Sequence, residues 1–239
     1  MKQLLPLFIA SICLHPQMAY AAICEKSPDT TTLRSSWVDE DLEFLNGRKD
    51  VTYYFETASR LYPLHSTFNL ALLVTVQTDP FYPEEIQLGK SIINRLNGLI
   101  GLELHEVSSR RLADLVILGV CIADTGTEGI LTTNFFDDQY YVVLNGCNGV
   151  LETEGAPELL FLHELGHALG LEHPFDDSDG DCLYSNKPWS KSAPDASVTV
   201  MAYKAPKDPI NFFSDLDLAT LQSIHGKHET AKSYGLMFE

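Results

Sequence analysis

The stretch LLFLHELGHALGLEHP, residues 159–174, decides how the rest of the chain is interpreted. It contains His163, Glu164, His167, Gly170 and His173 in the pattern H-E-x-x-H-x-x-G-x-x-H. Residues four apart share one face of a helix, so His163 and His167 can hold the same metal ion. Gly170 can adopt positive φ at the helix end and so bring His173 in as a third nitrogen ligand. Three histidines around an open fourth position are typical of a catalytic zinc site.

Glu164 follows the first histidine, where its carboxylate can reach a metal-bound water and act as a general base. The alternative is an ordinary amphipathic helix that happens to carry three histidines. The extended pattern fixes five positions, one of them a glycine with a geometric role. It therefore favours Zn²⁺ chemistry over coincidence.

Composition and charge limit the class of protein. A chain of 239 residues with 45% hydrophobic residues suits one domain, or one domain with a short extension. The formal net charge of −17 argues against nucleic acid and against an anionic membrane surface as partners. We expect a monomer whose partner is a protein or peptide substrate.

The first residues have the pattern of a signal peptide. Lys2 precedes an apolar run from Leu4 to Leu14, which is too short to span a bilayer. Ala19 and Ala21 supply the small residues that precede a cleavage site. We therefore expect residues 1–21 to be removed and the mature protein to be secreted, either extracellular or periplasmic.

Hydrophobic patterning predicts both strands and helices, with a last helix near the end of the chain. Strands are expected at 50–55, 102–107, 113–118, 130–135 and 140–144, and a β-like run at 70–76 is either an inserted strand or part of a hairpin. Helices are expected from Pro83 to Gly98, around the histidine motif, and from Ser214 to about His225.

A second motif follows the histidines, and together the two motifs resemble a known family. Val200-Met201-Ala202-Tyr203 is similar to the Met-turn of the metzincin zinc peptidases. Pro174 and the closing segment LDLATLQSIHG are most similar to the serralysin-like branch, with the matrixins next. The resemblance covers Val51 to Gly226. Serralysins carry a C-terminal array of calcium-binding repeats after the catalytic domain, and this sequence has no such repeat.

The resemblance implies an α+β, metzincin (zincin-like) fold and a division of the chain. That fold has a mixed, twisted five-stranded sheet, an active-site helix, a backing helix and a C-terminal helix after the Met-turn. Residues 47–239 would form the catalytic domain. Residues 22–46 would be either an N-terminal arm or a short pro-segment.

The resemblance also implies a role for each site residue. His163, His167 and His173 would ligate zinc, and Glu164 would be the general base. Met201 would lie beneath the ligands, and Tyr203 would be a switchable fifth ligand that hydrogen-bonds the transition state. For Met201 and Tyr203 the alternative is plain core packing. An edge strand would pair with the extended substrate, and its residues are Ile130, Leu131, Thr132, Thr133 and Asn134.

The implied function is a secreted, zinc-dependent endopeptidase. The alternative is a non-catalytic or single-target peptide-binding protein in which zinc is structural. The intact Glu164 argues against that alternative, because a binding protein has no need of a general base beside the metal.

The cysteines indicate disulfides in an oxidising compartment. Of the five, Cys13 lies in the signal segment, which leaves Cys24, Cys121, Cys147 and Cys182 with three possible connectivities. In the resembling fold the strands before Cys121 and Cys147 are parallel neighbours, which implies a Cys121–Cys147 bridge and leaves Cys24 with Cys182. The alternative is that Cys24 caps the zinc as an inhibitory thiolate, because residues 24–29 are faintly similar to the matrixin cysteine switch.

An acidic loop after the third histidine is a weak candidate for calcium. Residues 176–181, DDSDGD, could bind Ca²⁺ through alternating carboxylates, but they lack the spacing of an EF-hand. The alternative is a solvated loop.

Overall fold

The architecture is built on one mixed sheet, seen here in a computed structural model. The structure describes residues 29–35, 38, 45, 47–66, 69–121, 129–133, 139–146, 156–175, 191 and 193–229. The strands are β1 Asp50–Phe55, β2 Leu61–Ser66, β3 Asn69–Gln77, β4 Glu103–Glu106, β5 Leu115–Val120, β6 Gly129–Thr133 and β7 Tyr140–Asn145. The helices are α1 Pro83–Asn97, α2 Ala156–Ala168 and α3 Asp215–His225, with a short 3-10 turn at Arg110–Leu112.

The main sheet has the strand order β4-β1-β5-β7-β6. The pairs β1–β4, β1–β5 and β5–β7 are parallel, whereas β6 runs antiparallel to β7 and ends the sheet on that side. All six residues of β5 are buried, as expected for a central parallel strand covered on both faces. The expected α+β class with a mixed sheet is confirmed.

Each face of the sheet is covered by a different part of the chain. On one face, α1 and α2 pack over Leu115 and Ile117, and the stacked rings of Phe55 and Phe161 join the sheet to α2. Gly89 of α1 permits close packing there, since a Cβ at that position would lie 2.6 Å from the Phe55 ring. This helical face positions the functional site.

The other face is covered by the β2–β3 hairpin, whose Tyr62 packs against Tyr141. Tyr62 also donates a short hydrogen bond to the buried carboxylate of Glu56, at the end of β1. The β-like run expected at 70–76 is therefore one strand of a hairpin. The sequence does not predict β2, because Pro63 argues against a strand at that position.

Strand β5 shows the clearest shift from the expected boundaries. The sequence predicts a strand over 113–118, but β5 begins at Leu115 and runs to Val120. Asp114 is instead held beside β1, where it accepts hydrogen bonds from the Arg48 guanidinium and from the backbone and hydroxyl of Thr52. These bonds lower the pKa of Asp114 although burial alone would raise it.

The described part of the N-terminal arm packs against the turn that follows α2. Ser35 N donates to Gly170 O over 2.9 Å, and Glu172 N donates to Leu33 O over 3.0 Å. Arg34 and Leu171 form an antiparallel bridge between these two bonds. The Leu33 side chain is 0% exposed. Whether residues 22–46 are retained as an arm or removed stays a prediction.

Several expectations fall outside the described residues. They are the signal segment 1–21, Cys24, Asn134, Cys147, the acidic loop 176–181 and Cys182. Among the residues that are described, no helix has both the length and the apolar character needed to cross a membrane.

Candidate metal centre

Helix α2 presents the first two histidines on one face because Leu162 and Leu165 bury its other face in the core. The helix ends through backbone bonds from Gly170 N to His167 O, 3.0 Å, and from Leu171 N to Gly166 O, 2.9 Å. Gly170 has a φ of +98°, which a residue with a side chain rarely adopts. A Cβ there would also collide with Val38 of the arm. Gly170 therefore makes the sharp turn expected from the sequence.

The three histidine side chains converge on one point. His173 Nε2 lies 3.2 Å from His163 Nε2 and 3.1 Å from His167 Nε2. Their ligand atoms all lie within 4.8 Å of one another, which is the spacing of a metal site. The turn at Gly170 thus brings together all three residues predicted as ligands.

Backbone carbonyls fix which nitrogen of two rings carries the proton. His163 Nδ1 lies 2.8 Å from Val200 O, and His167 Nδ1 lies 3.0 Å from Leu171 O. A carbonyl oxygen only accepts, so each Nδ1 must donate. In a neutral ring the Nε2 atom then has a free lone pair, and these lone pairs point at the convergence point. This second bond on each ring is the usual orientation device of a metal-binding histidine.

Burial keeps the rings neutral. Desolvation lowers the pKa of His163, and with the neighbouring histidine it lowers the pKa of His167 to about 3. Desolvation and both neighbouring rings lower the pKa of His173 to about 2. The site therefore offers neutral imidazole nitrogens, the form that binds metal, at neutral pH.

The spacing fits zinc. Nitrogens bound to a tetrahedral Zn²⁺ at 2.0–2.1 Å lie about 3.3 Å apart. The two Nε2 separations of 3.1 and 3.2 Å are close to that value. Without a cation, unprotonated nitrogens at this distance would repel each other, so the donor set suits a bound divalent metal.

The Glu164 side chain extends from α2 to strand β6. Its side chain is only 4% exposed, and it packs directly over the Cα of Gly129, the first residue of β6. The predicted general base is thus adjacent to the strand predicted to receive the substrate. Ile130, Leu131, Thr132 and Thr133 belong to β6, at the end of the sheet.

The turn at 199–202 packs against α2. Met201 is buried, and its Sδ would lie 2.7 Å from a Cβ placed on Gly166, so the helix and the turn touch at a glycine. The Val200 carbonyl accepts from His163, as described above. Met201 is thus buried against the helix that carries His163 and His167, and its role beneath a metal site stays a prediction.

Asp217 of α3 holds this turn in place. Its carboxylate accepts hydrogen bonds from Thr199 Oγ1 at 2.6 Å, from Val200 N at 3.0 Å and from Ser214 N at 2.9 Å. The last bond is part of the capping box at the N-terminus of α3. The link to the turn is not predictable locally, because it joins residues 17 and 18 positions apart.

Aromatic side chains form one wall of the site. The Tyr203 ring is 42% exposed, and its centroid lies 4.8 Å from that of His173. Phe175 stacks on His173 at 4.9 Å with an interplanar angle of 9°, and it contacts Tyr203 edge-on at 4.8 Å. The sequence gives no signal for Phe175, which follows Pro174 in an irregular segment.

Cys121 follows β5 directly and is disulfide-bonded. Strands β5 and β7 are parallel neighbours, with Val120 opposite Asn145. That is the arrangement from which the Cys121–Cys147 pairing is inferred. Cys147 lies outside the described residues, so the pairing stays a prediction, as does Cys24–Cys182.

Comparison with known proteins does not identify a family. No protein-family model matches the sequence, and no curated protein matches it. Among solved structures, a chain of the "GM1 bound form of the ECX AB5 holotoxin" is 12% identical with a TM-score of 0.42, covering 84% of this chain and 91% of that one. Similarity at this level supports no argument about function, so the proposals below depend on the site itself.

Proposed function

We propose that this protein is a zinc-dependent endopeptidase with a metzincin-type catalytic domain. The observation that supports this most strongly is the convergence of His163, His167 and His173 beside Glu164, at the edge of a sheet. The Met201 turn packed against α2 and the order of strands and helices are consistent with the same fold. We further propose that the protein acts after export, on protein or peptide substrates.

Each residue has a specific task in this proposal. The three neutral histidines would hold Zn²⁺, which when bound would supply Lewis acidity and would lower the pKa of a coordinated water to about 7. Glu164 accepts a proton from the attacking water and then delivers it to the leaving amine. The Tyr203 hydroxyl donates a hydrogen bond to the developing oxyanion, and this bond lowers the activation barrier by about 3 kcal/mol.

Strand β6 is the proposed docking site for the substrate. It ends the sheet and runs antiparallel to β7, so an extended peptide can add alongside it through backbone hydrogen bonds. Glu164 packs on the first residue of this strand. A peptide paired with β6 would therefore pass next to the general base.

The competing function is a peptide-binding protein with a structural zinc. A buried Glu164 beside the histidines favours the enzyme, because a closed structural site would use a fourth protein ligand instead. Digestion of casein with and without a chelator separates the two. Chelator-sensitive cleavage supports the peptidase, and stable binding of uncut peptide supports the alternative.

The decisive experiment is Glu164→Gln in the zinc-loaded protein. Since the amide cannot accept the proton, turnover should fall by about 10²–10⁴-fold. Zinc content should be unchanged. Glu158→Gln, in the first turn of the same helix, is the matched control and should remain active. Near-wild-type cleavage by a folded, zinc-loaded Glu164→Gln variant would refute the mechanism.

A further inference from the structure

Gly129 lies unusually close to the proposed general base. A Cβ built on Gly129 would lie 2.5 Å from both Cγ and Cδ of Glu164, a separation at which carbon atoms overlap. The Glu164 side chain therefore occupies the space that any side chain at position 129 would need. The contact joins residues 35 positions apart, so the sequence alone gives no indication of it.

Backbone conformation does not explain why a glycine is present. Among the described glycines, positive φ is confined to Gly47, Gly170 and Gly226. Residue 129 pairs with Leu144 in a regular antiparallel register, where any amino acid other than proline is tolerated. The nearest atoms to the missing Cβ all belong to Glu164. The requirement at this position is space for that one side chain.

The elements on either side of the contact cannot easily move apart. Strand β6 is held by its ladder with β7, and α2 is held by the buried Leu162 and Leu165. The Glu164 side chain, by contrast, has rotatable bonds. A larger residue at 129 would therefore be accommodated by displacement of the Glu164 carboxylate rather than by movement of the backbone.

We propose that Gly129 is a positioning residue that sets the location of the Glu164 carboxylate. This inference depends on the proposed peptidase function and extends it to strand β6. That strand would both pair with the substrate backbone and hold the Glu164 carboxylate in place. Displacing a catalytic group by about 1 Å can cost 10²-fold in rate.

The first test is Gly129→Ala, compared with Gly98→Ala. At Gly98 a Cβ meets only Arg95 O at 3.7 Å, and φ is −80°, so this control tolerates alanine. Gly129→Ala should lower kcat by at least tenfold, with KM and zinc affinity within about twofold of wild type. Unchanged kcat in a folded Gly129→Ala variant would overturn the proposal.

A second test uses stability and does not need activity. If Glu164 is the only obstacle, then Gly129→Ala introduced into a Glu164→Ala background should not lower the Tm further, because the added methyl group fills the space vacated there. The same substitution in the wild-type background should lower the Tm. Equal losses in both backgrounds, including failure to fold in both, would show that the obstacle is another group and would overturn the proposal.

The peptidase mechanism and the positioning role of Gly129 would be refuted by different results. An active Glu164→Gln variant refutes the peptidase mechanism itself. An inactive Glu164→Gln variant beside a fully active Gly129→Ala variant refutes only the positioning role. If both roles are correct, Gly129→Ala should add little further loss of kcat in the Glu164→Gln background, because the two substitutions act on the same group.

Discussion

At the scale of single residues, Tyr203 is the exposed side chain in the aromatic wall of the site. Its ring contacts those of His173 and Phe175. Phe175 in turn stacks on His173, so one aromatic residue supports both a predicted ligand and the predicted oxyanion donor. Phe175 thereby limits the directions in which the Tyr203 ring can move.

Tyr203→Phe should lower kcat by about 100-fold, the effect expected from loss of one oxyanion donor. Zinc affinity should change little, because a hydroxyl used mainly in the transition state is not needed to hold the ion. Steady-state kinetics and zinc titration measure the two quantities. Tyr82→Phe, at an exposed tyrosine, is the control. Loss of zinc from Tyr203→Phe would instead make Tyr203 a structural ligand.

Residues linked by short-range spacing could be predicted from the sequence. His163, His167 and His173 were recoverable because helix periodicity and one glycine turn relate them over eleven positions. Gly129 and Phe175 were not, because their contacts depend on how distant segments pack. The neutral state of the rings also needed the structure, since it depends on burial and on two carbonyl partners.

At the scale of elements, the first turn of α3 holds the 199–202 turn in place through hydrogen bonds. Asp217 bonds Thr199 and Val200, and the Val200 carbonyl bonds His163. A buried carboxylate in the first turn of α3 is therefore linked to the orientation of a predicted zinc ligand through a single residue, Val200.

Asp217→Asn should destabilise the fold and weaken zinc binding together. The amide oxygen can keep the two backbone bonds that Oδ2 accepts, but the NH₂ group then faces the Thr199 hydroxyl, and losing that charge-assisted bond costs about 2 kcal/mol. Looser orientation of His163 should weaken zinc affinity by about 10- to 100-fold. Thermal unfolding and competitive zinc titration are the measurements. Asp215→Asn, exposed in the same helical turn, is the control, and equal zinc affinities in the two variants would contradict this link.

Element prediction succeeded where the local pattern agreed with the final packing. Strand β1 and helix α1 have the expected limits within a residue, because aromatic alternation and an N-terminal proline mark them locally. Strand β2 lacks such a signal, and its pairing with β3 and packing on Tyr141 compensate for Pro63. Strand β2 therefore forms because of its tertiary contacts rather than its local sequence.

At the scale of the whole molecule, the N-terminal arm is joined to the segment that carries His173. The backbone bonds of Leu33 and Ser35 flank the turn between α2 and that histidine. Leu33 is fully buried, as a component of the folded domain would be. A retained arm and a pro-segment before its removal would both pack in this way, so the choice between them stays a prediction.

Leu33→Ala should lower the free energy of unfolding by about 2–5 kcal/mol, the range for a buried leucine. The matched control is Leu61→Ala, because Leu61 is 69% exposed, and its effect should stay within about 0.5 kcal/mol. Denaturant unfolding measures both variants. Equal, small effects would mean that the arm contributes nothing to the stability of the domain, which would favour a removable pro-segment.

The bridge between Arg34 and Leu171 also sets an order of events during biosynthesis. The two residues are 137 positions apart (171 − 34), and translation adds about 5–20 residues per second, so the arm exists for roughly 7–27 seconds before its partner has been made. During that interval Leu33 has no turn to cover it. Until the turn after α2 has been synthesised, the Leu33 side chain therefore stays exposed to water, and the arm can take its place in the fold only after α2 has been made.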